Sequence, residues 1–249
     1  MVSDGCQMLQ YLFKQNTLLL KSITPDDLYE NEALVNFSDP VFSWLAIRSE
    51  GKAFLRQLYE GSPGLITKIS PNMLYKVFTS SKIAENTTIF YWLTTFKVGR
   101  EALKTLFTVN RGLVQQMPVD CLYREITGPV DFAKLSAFLY LSLHSVGHEI
   151  LEILFNLNPA LMKNINGDQF YRLIPGLKKD SDLSICEGLS TTNTGRMLLR
   201  SLFQENPELV KISKDNNFFQ PRLLALHKVT SFYSATERER FFSSLQDSD

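Results

Sequence analysis

The chain contains little of what several common classes of protein need. Its three cysteines lie far apart, at Cys6, Cys121 and Cys186. Thiols so few and so scattered form no disulfide framework, and they favour a reducing compartment. No apolar run approaches the roughly 20 residues of a membrane-spanning helix, and the short apolar stretch from Met8 to Phe13 differs from a secretory signal. We therefore expect a cytoplasmic protein without a membrane span.

The chain also lacks net charge, since it has 26 basic and 26 acidic residues. A neutral chain creates no overall field that attracts nucleic acid, so nucleic-acid binding would need a local basic patch. The aromatic residues fall at predicted core positions and leave no platform on which bases would stack. With 44% hydrophobic and 21% charged residues, the composition is that of a globular protein. We expect an ordered protein that binds no nucleic acid.

A pattern with a period of 48 residues organises the chain. It is marked by four equally spaced glycines: Gly51, Gly99, Gly147 and Gly195. Leucine follows each glycine after four and after seven residues, an aromatic residue after eight, and leucine again after fourteen. The same offsets counted from Gly5 give Leu9, Leu12, Phe13 and Leu19, so the chain holds about four and a half copies of one unit.

The copies have definite predicted boundaries. We place a partial N-terminal repeat at 1–37, repeats at 38–85, 86–133, 134–181 and 182–229, and a C-terminal capping helix with a tail at 230–249. Phe232, Phe242 and Leu245 form the apolar side of that last helix. The end units differ from the internal ones, as capping repeats do.

Each copy carries signals for helices and none for a sustained strand. The first helix is predicted to begin near Asp39-Pro40 or Asn86-Thr87, and the third at Pro25 or Pro71, each preceded by a hydroxyl cap. The second helix is predicted to begin with a capping residue two positions before the glycine: Ser49, Ser145 or Asn193. It is expected to end at a residue such as Asn158, because asparagine tolerates the left-handed conformation.

The repeated glycine falls in the first turn of the second helix, where glycine costs up to about 1 kcal/mol relative to alanine. Close approach of another helix that leaves no room for a Cβ atom explains the recurrence of a costly residue. The rival interpretation, a phosphate-binding glycine, needs clustered glycines with Lys-Ser/Thr, which this sequence lacks. Because one copy cannot bury all its apolar sides, the copies must stack. The predicted fold is all-α, a right-handed α-solenoid of about four and a half 48-residue repeats.

Two parts of the sequence resemble known families. The stretch Phe90–Val114 resembles the helix-turn-helix of an ankyrin repeat, although the unit is longer, lacks Thr-Pro-Leu-His and has a third helix in place of the β-turn finger. It is also similar to divergent α-solenoids of the tetratricopeptide or HEAT kind. The tail, Glu237–Arg240 followed by two phenylalanines, resembles the C-terminal signals of type IV secreted effectors of intracellular bacteria such as Legionella. That resemblance implies a regulator of host proteins or of other effectors, acting in the host cytosol; the alternative is a terminal amphipathic helix.

Few residues suggest chemistry. His144 and His148 stand four positions apart, which would suit a metal pair or a small hydrolase or transferase if one helix were continuous there. The predicted helix start lies between them, no glutamate accompanies them, and His148 occupies a position that is basic in other copies. We therefore predict no catalytic residue, no metal and no cofactor. The cysteines are interpreted as core residues rather than as nucleophiles.

A set of cations that recur beside the glycines is the stronger functional signal. We call the residues one position after the glycine the inner column and those five positions after it the outer column. The inner column is Lys52, Arg100, His148 and Arg196, and the outer column is Arg56, Lys104, Glu152 and Arg200. The basic members predict a stripe that binds an acidic segment of a protein partner; the alternative is a solvated face whose side-chain stems cover apolar surface. We predict a non-catalytic protein-binding module that is monomeric before it meets its partner.

Overall fold

The structure is a computed structural model that describes residues 8, 11, 15–30, 32–34, 37–78, 86–127, 134–178, 181–209 and 234. The predicted last helix and the effector-like tail therefore lie outside the described residues, except for position 234. Most of the N-terminal copy before residue 15, including Cys6, also lies outside them.

Contacts between residues divide the chain into two compact units. The first unit comprises Met1–Gly128 with Lys134–Ala137, and the second comprises Pro129–Ala133 with Phe138–Asp249. No helix in the described ranges is both long and apolar enough to cross a bilayer.

The first unit consists of short and medium helices with two hairpins. Its elements are α1 (Thr17–Ser22), α2 (Pro25–Tyr29), β1 (Glu32–Leu34), β2 (Phe37–Pro40), α3 (Val41–Ile47), α4 (Ser49–Gly61), α5 (Gly64–Thr67), α6 (Pro71–Tyr75), α7 (Ile89–Thr95), α8 (Lys97–Val109), α9 (Arg111–Gln115), α10 (Val119–Tyr123), β3 (Ile126–Thr127) and β4 (Lys134–Leu135).

The second unit shows the same order of elements. They are α11 (Ala137–Ser142), which begins at the boundary, α12 (Ser145–Leu157), a 3-10 helix (Pro159–Asn164), α13 (Gly167–Tyr171), β5 (Ile174–Lys178), β6 (Ser181–Leu183), α14 (Ile185–Ser190), α15 (Asn193–Glu205) and a second 3-10 helix (Pro207–Leu209). The prediction of a mainly helical protein is confirmed.

The 13-residue helices α4, α8, α12 and α15 begin 48 residues apart. Each holds its glycine in the first turn, and the glycine adjoins the helix that precedes it. A Cβ atom on Gly51 would lie 2.6 Å from the Cα atom of Leu45, and one on Gly99 would lie 2.9 Å from that of Leu93. The nearest atom in all four cases is the carbonyl oxygen six residues earlier. The predicted packing role of the glycine is therefore confirmed.

The leucines of the pattern form the core of both units. The leucine four residues after the glycine, at Leu55, Leu103, Leu151 and Leu199, is 0% exposed in every copy. The helix α4 packs on α8 in the first unit, and α12 packs on α15 in the second. Burying such a side chain contributes about 1.5–3 kcal/mol, so stacking rather than intrinsic helix propensity stabilises these helices.

Buried tyrosines join one copy to the next. The hydroxyl of Tyr75 in α6 donates to the carbonyl of Leu113 at 2.9 Å. In the second unit the hydroxyl of Tyr171 in α13 donates to the carbonyl of Leu209 at 2.7 Å. Each contact spans 38 residues and satisfies a carbonyl of the short helix that follows a 13-residue helix.

Short hairpins follow the third helices, which corrects one expectation. We expected a third helix in place of a β-turn finger and no strand, but short antiparallel strand pairs follow the third helices. Ile126 pairs with Leu135, and Ile174 pairs with Leu183. Phe78 and Thr87 are hydrogen-bonded at the same position of the 48-residue pattern. Strands of two to five residues are too short to show an alternating apolar pattern, so the sequence carried no signal for them.

Two predictions about helix ends were wrong. Ser49, Ser145 and Asn193 are the first helical residues and not the caps, which are Arg48, His144 and Thr192. The 13-residue helices end without a left-handed residue: Asn158 has φ −140° and ψ 77°. Asn206 has a similar backbone, and its amide donates to the carbonyl of Ile165 at 3.3 Å. Here the asparagine acts through its side chain, as a link to the preceding copy.

The caps of the third helices are as predicted. Thr24 accepts a hydrogen bond from the backbone of Asp27 and forms a capping box with it. Ser70 accepts one from the backbone of Met73 at 3.2 Å. A proline follows each of these caps, at Pro25 and Pro71.

Candidate functional site

The inner column lies where the two helices of each pair meet. The missing side chain of the glycine brings the backbone of the first helix against the start of the second. The next residue along the chain then faces the last turn of the first helix, whose carbonyl groups have no partner within that helix. A cation at this position therefore has a local acceptor before any partner is considered.

Arg100 and Arg196 use that acceptor in the same way. Arg100 Nη1 donates to the carbonyl of Thr94 at 2.6 Å, and Arg196 Nη1 donates to the carbonyl of Ser190 at 2.9 Å. Each acceptor lies six residues before its donor. Burial lowers the pKa of Arg100 to about 10, so its guanidinium remains charged at neutral pH.

His148 occupies the same position and uses both of its ring nitrogens. Nε2 lies 2.7 Å from the carbonyl of Ser142, which again is six residues earlier. Nδ1 lies 2.6 Å from the hydroxyl of Thr192, the cap of α15. The side chain is 0% exposed. Burial lowers the pKa of His148, with partial opposition from the Ser142 hydrogen bond, so the neutral ring is the form that this environment favours.

Lys52 is half-buried, and it contacts the next copy through an aromatic ring. Its Nζ atom lies 5.8 Å from the ring centroid of Phe96, the residue between α7 and α8. This distance suits a cation–π interaction. Burial lowers the pKa of Lys52.

The inner column is therefore not exposed throughout, as the predicted stripe would require. Arg100 and His148 are buried, and three of the four residues stabilise the end of a first helix. The cations do recur every 48 residues, but a sequence period does not show whether a side chain points towards the protein interior or towards solvent. The glycine lets the first helix approach closely, and the cation after it can then donate a hydrogen bond to a carbonyl at the end of that helix.

The outer column is exposed in all four copies. Acidic residues lie on the same helices as its cations. Arg56 pairs with Glu60 at 3.7 Å on α4, and on α8, which carries Lys104, Lys97 pairs with Glu101 at 3.9 Å. In the second unit Glu152 takes the position that Arg200 takes on the neighbouring helix. The surface of the 13-residue helices thus carries mixed charge, and the exposed cations of the predicted stripe are Arg56, Lys104 and Arg200.

The histidine pair has a different geometry from the one that a metal or a hydrolase needs. His144 is exposed and precedes α12, whereas His148 is buried inside its first two turns. Both nitrogens of His148 are engaged by Ser142 and Thr192, which leaves none for a metal or for proton transfer. Within the described residues, no group of three or more histidine, cysteine or acidic residues is placed to hold a metal ion.

Cys121 and Cys186 are buried free thiols, as the interpretation of core residues requires. The Sγ atom of Cys121 lies 3.9 Å from the carbonyl of Tyr75 in the preceding copy. Burial raises the pKa of the Cys121 thiol to about 11, and it also raises the pKa of Cys186. Neither thiol is therefore activated as a nucleophile.

Thr192 is the residue that sequence reasoning missed. It caps α15 by accepting from the backbone of Gly195 at 3.0 Å, and it contacts His148 at the same time. Its signal was present, since a threonine three positions before the glycine is a capping residue type. The predicted cap, Asn193, lies one position after the observed one.

Comparison of the chain with known protein families, with curated proteins and with solved structures gives no significant match.

Proposed function

We propose that the chain is a non-catalytic, protein-binding helical-repeat module, built as a right-handed α-solenoid of about four and a half copies of the 48-residue unit. Support for the repeat comes from the equal spacing of the 13-residue helices and from their stacking within each unit. Continued along the chain, that stacking presents equivalent surface residues at a regular interval. Such surfaces bind extended or folded protein partners in many repeat architectures.

The observation that carries the proposal is the exposed outer column. Arg56 and Lys104 occupy equivalent positions on α4 and α8, which pack together in the first unit. Two cations on adjacent helices suit an acidic segment of a protein partner. The proposal also includes the class suggested by the tail, a bacterial effector that binds and regulates another effector or a host protein in the host cytosol. No observation favours the alternative of a hydrolase or transferase at His144 and His148, and we do not propose it.

A charge-reversal experiment tests the proposed surface. Proteins that co-purify with the full chain from cytosol are identified, and the affinity of the recovered partner is then measured. The double variant Arg56→Glu with Lys104→Glu is expected to bind about tenfold more weakly, since exposed charge contacts contribute up to about 1 kcal/mol each.

A matched control distinguishes this surface from a general charge effect. Lys68→Glu with Lys97→Glu makes the same change in net charge at exposed positions outside the outer column. The control is expected to bind within about twofold of the unaltered chain. Equal loss of affinity in both variants, or no loss in either, would remove the outer column from the proposal.

A further inference from the structure

His148 differs from Arg100 because it joins two helix pairs. Arg100 is bonded to Thr94 in its own pair. His148 is bonded to Ser142 at the end of α11 and also to Thr192, which begins the next pair's second helix. Gly195 lies close against the same ring, since a Cβ atom added to it would be 2.8 Å from Nδ1 of His148.

The acceptor of His148 is itself enclosed by both pairs. A Cβ atom on Gly188 in α14 would lie 2.7 Å from the carbonyl oxygen of Ser142. The imidazole and this carbonyl thus occupy the contact between α11 and α12 on one side and α14 and α15 on the other. A change in the ring's hydrogen bonding acts directly on that contact.

The observed hydrogen bonds fit a neutral imidazole. A carbonyl oxygen only accepts, so Nε2 carries the hydrogen donated to Ser142. Nδ1 then has a lone pair and accepts the hydroxyl hydrogen of Thr192, whose oxygen accepts from the backbone of Gly195. Protonation of Nδ1 would reverse this bond, because Nδ1–H would then donate to the Thr192 oxygen. The hydroxyl hydrogen would lose Nδ1 as its acceptor, and the ring would carry a positive charge at a site that is 0% exposed.

We propose that His148 is a pH-sensitive latch that holds the pair α14–α15 on the pair α11–α12 at neutral pH and loosens it in mildly acidic conditions. The unprotonated ring bridges the pairs with one donor and one acceptor. The protonated ring carries a buried charge, and the Thr192 hydroxyl hydrogen no longer has Nδ1 as its acceptor. The separation of two packed helix pairs is the structural result.

The charged groups of the surrounding elements do not compensate that charge. In α14 the carboxylate of Glu187 accepts from the backbone of Ser184 and so caps its own helix. In α15 the guanidinium of Arg196 donates to Ser190, and its positive charge opposes a second one. The other charged or titratable groups on the elements of this unit that pack with α12 are Tyr140, Lys163, Cys186, Arg200 and Glu205, and those on or beside α12 itself are His144, Glu149 and Glu152.

Amide hydrogen exchange on the full chain tests the latch. Protection of the α14 and α15 amides, corrected for the intrinsic exchange rate, is expected to fall by up to about tenfold between about pH 7.5 and about pH 5.5, the limit for one histidine with an ordinary pKa in the open state. Protection in α8, whose inner-column residue is Arg100, is expected to change little. Unchanged protection in α14 and α15, or an equal fall in α8, would overturn the proposal.

Two variants separate titration from packing. His148→Gln retains a donor and an acceptor but does not titrate, so its α14 and α15 amides are expected to lose the acid response. His144→Gln removes the exposed histidine beside the same helix and is expected to keep the response. The same response in His148→Gln as in the unaltered chain would contradict the latch.

A measurement on the unaltered chain covers the case in which His148→Gln does not fold. The ring resonances of His148 and His144 are followed by NMR as the pH is lowered. The latch requires His148 to protonate at lower pH than exposed His144, together with the loss of protection in α15. Protonation of both rings at the same pH would overturn it.

Discussion

At the residue scale, each 48-residue unit depends on a glycine and the side chain that follows it. The glycine allows the first helix to touch the second, and at Arg100, His148 and Arg196 the residue after the glycine then bonds a carbonyl of that first helix. The sequence predicted the glycine's role because a costly residue recurred at a helical position. It did not predict that the cation points inward, since the free carbonyls are brought near only by the helix crossing.

Replacing Gly99 with alanine is expected to destabilise the protein. The added Cβ would lie 2.9 Å from the Cα atom of Leu93, which is backbone and does not move aside cheaply. The expected loss is about 1–3 kcal/mol of unfolding free energy, as for other overpacked cores. Denaturant unfolding measures it.

Gly112 provides the control, because a Cβ there meets only Asn110 Oδ1 at 3.4 Å and Gln116 Nε2 at 4.0 Å. Gly112→Ala is expected to be neutral or to stabilise by up to about 1 kcal/mol. Equal effects of the two substitutions would contradict the close approach at Gly99.

Arg100→Met tests the inward direction of the inner column. The variant keeps an unbranched stem but removes the donor to Thr94, leaving that carbonyl unpaired in a buried place. A loss of about 1–3 kcal/mol of unfolding free energy is expected. Arg56→Met, at an exposed outer-column position on α4, is expected to change stability by less than about 0.5 kcal/mol. Equal stability of the two variants would favour a surface role for both arginines.

At the element scale, the helices were easier to predict than their ends. The 13-residue helices show the apolar pattern of a helix that is buried on one side, and their existence followed from it. Their caps did not, because Arg48, Phe96 and His144 make no side-chain cap hydrogen bond. The short hairpins also escaped prediction, since backbone pairing over two residues needs the preceding helices to bring the strands together.

Thr192→Ala tests the corrected position of a helix start. It removes the hydroxyl that accepts from Gly195 and contacts His148, and a loss of about 1–2 kcal/mol is expected. Ser145→Ala changes an exposed first helical residue of α12 and is expected to cost less than about 0.5 kcal/mol. Thermal or denaturant unfolding compares the two. A larger loss of unfolding free energy for Ser145→Ala than for Thr192→Ala would support the prediction that Ser145 is a helix cap.

At the scale of the whole molecule, stability depends on pH through His148. Its pKa is lower in the folded chain than in the unfolded chain, so the unfolded chain binds more protons in acid. This contribution to stability is complete above the unfolded value of about 6.5 and declines as the pH falls through it towards the folded value.

The urea midpoint is therefore expected to fall between about pH 7.5 and about pH 5.5, and to fall less in His148→Gln. The carboxylates of the chain titrate mainly below this window, so the difference between the two proteins reports the histidine. Equal falls in both proteins would show that the acid sensitivity originates elsewhere.

By itself the sequence determined the period, the mainly helical character and the core. Each unit contains the complete apolar pattern of its helices within its own stretch of sequence, so no knowledge of distant contacts is needed to recognise it. Only the tertiary structure decided which of the recurring charged residues are buried and which are exposed. Burial depends on where two helices cross. In α8 the crossing buries Arg100 against the carbonyl of Thr94, whereas Lys104, one helical turn later, is exposed. For the same reason the histidine that resembled a metal ligand in sequence became a bridge between helix pairs in space.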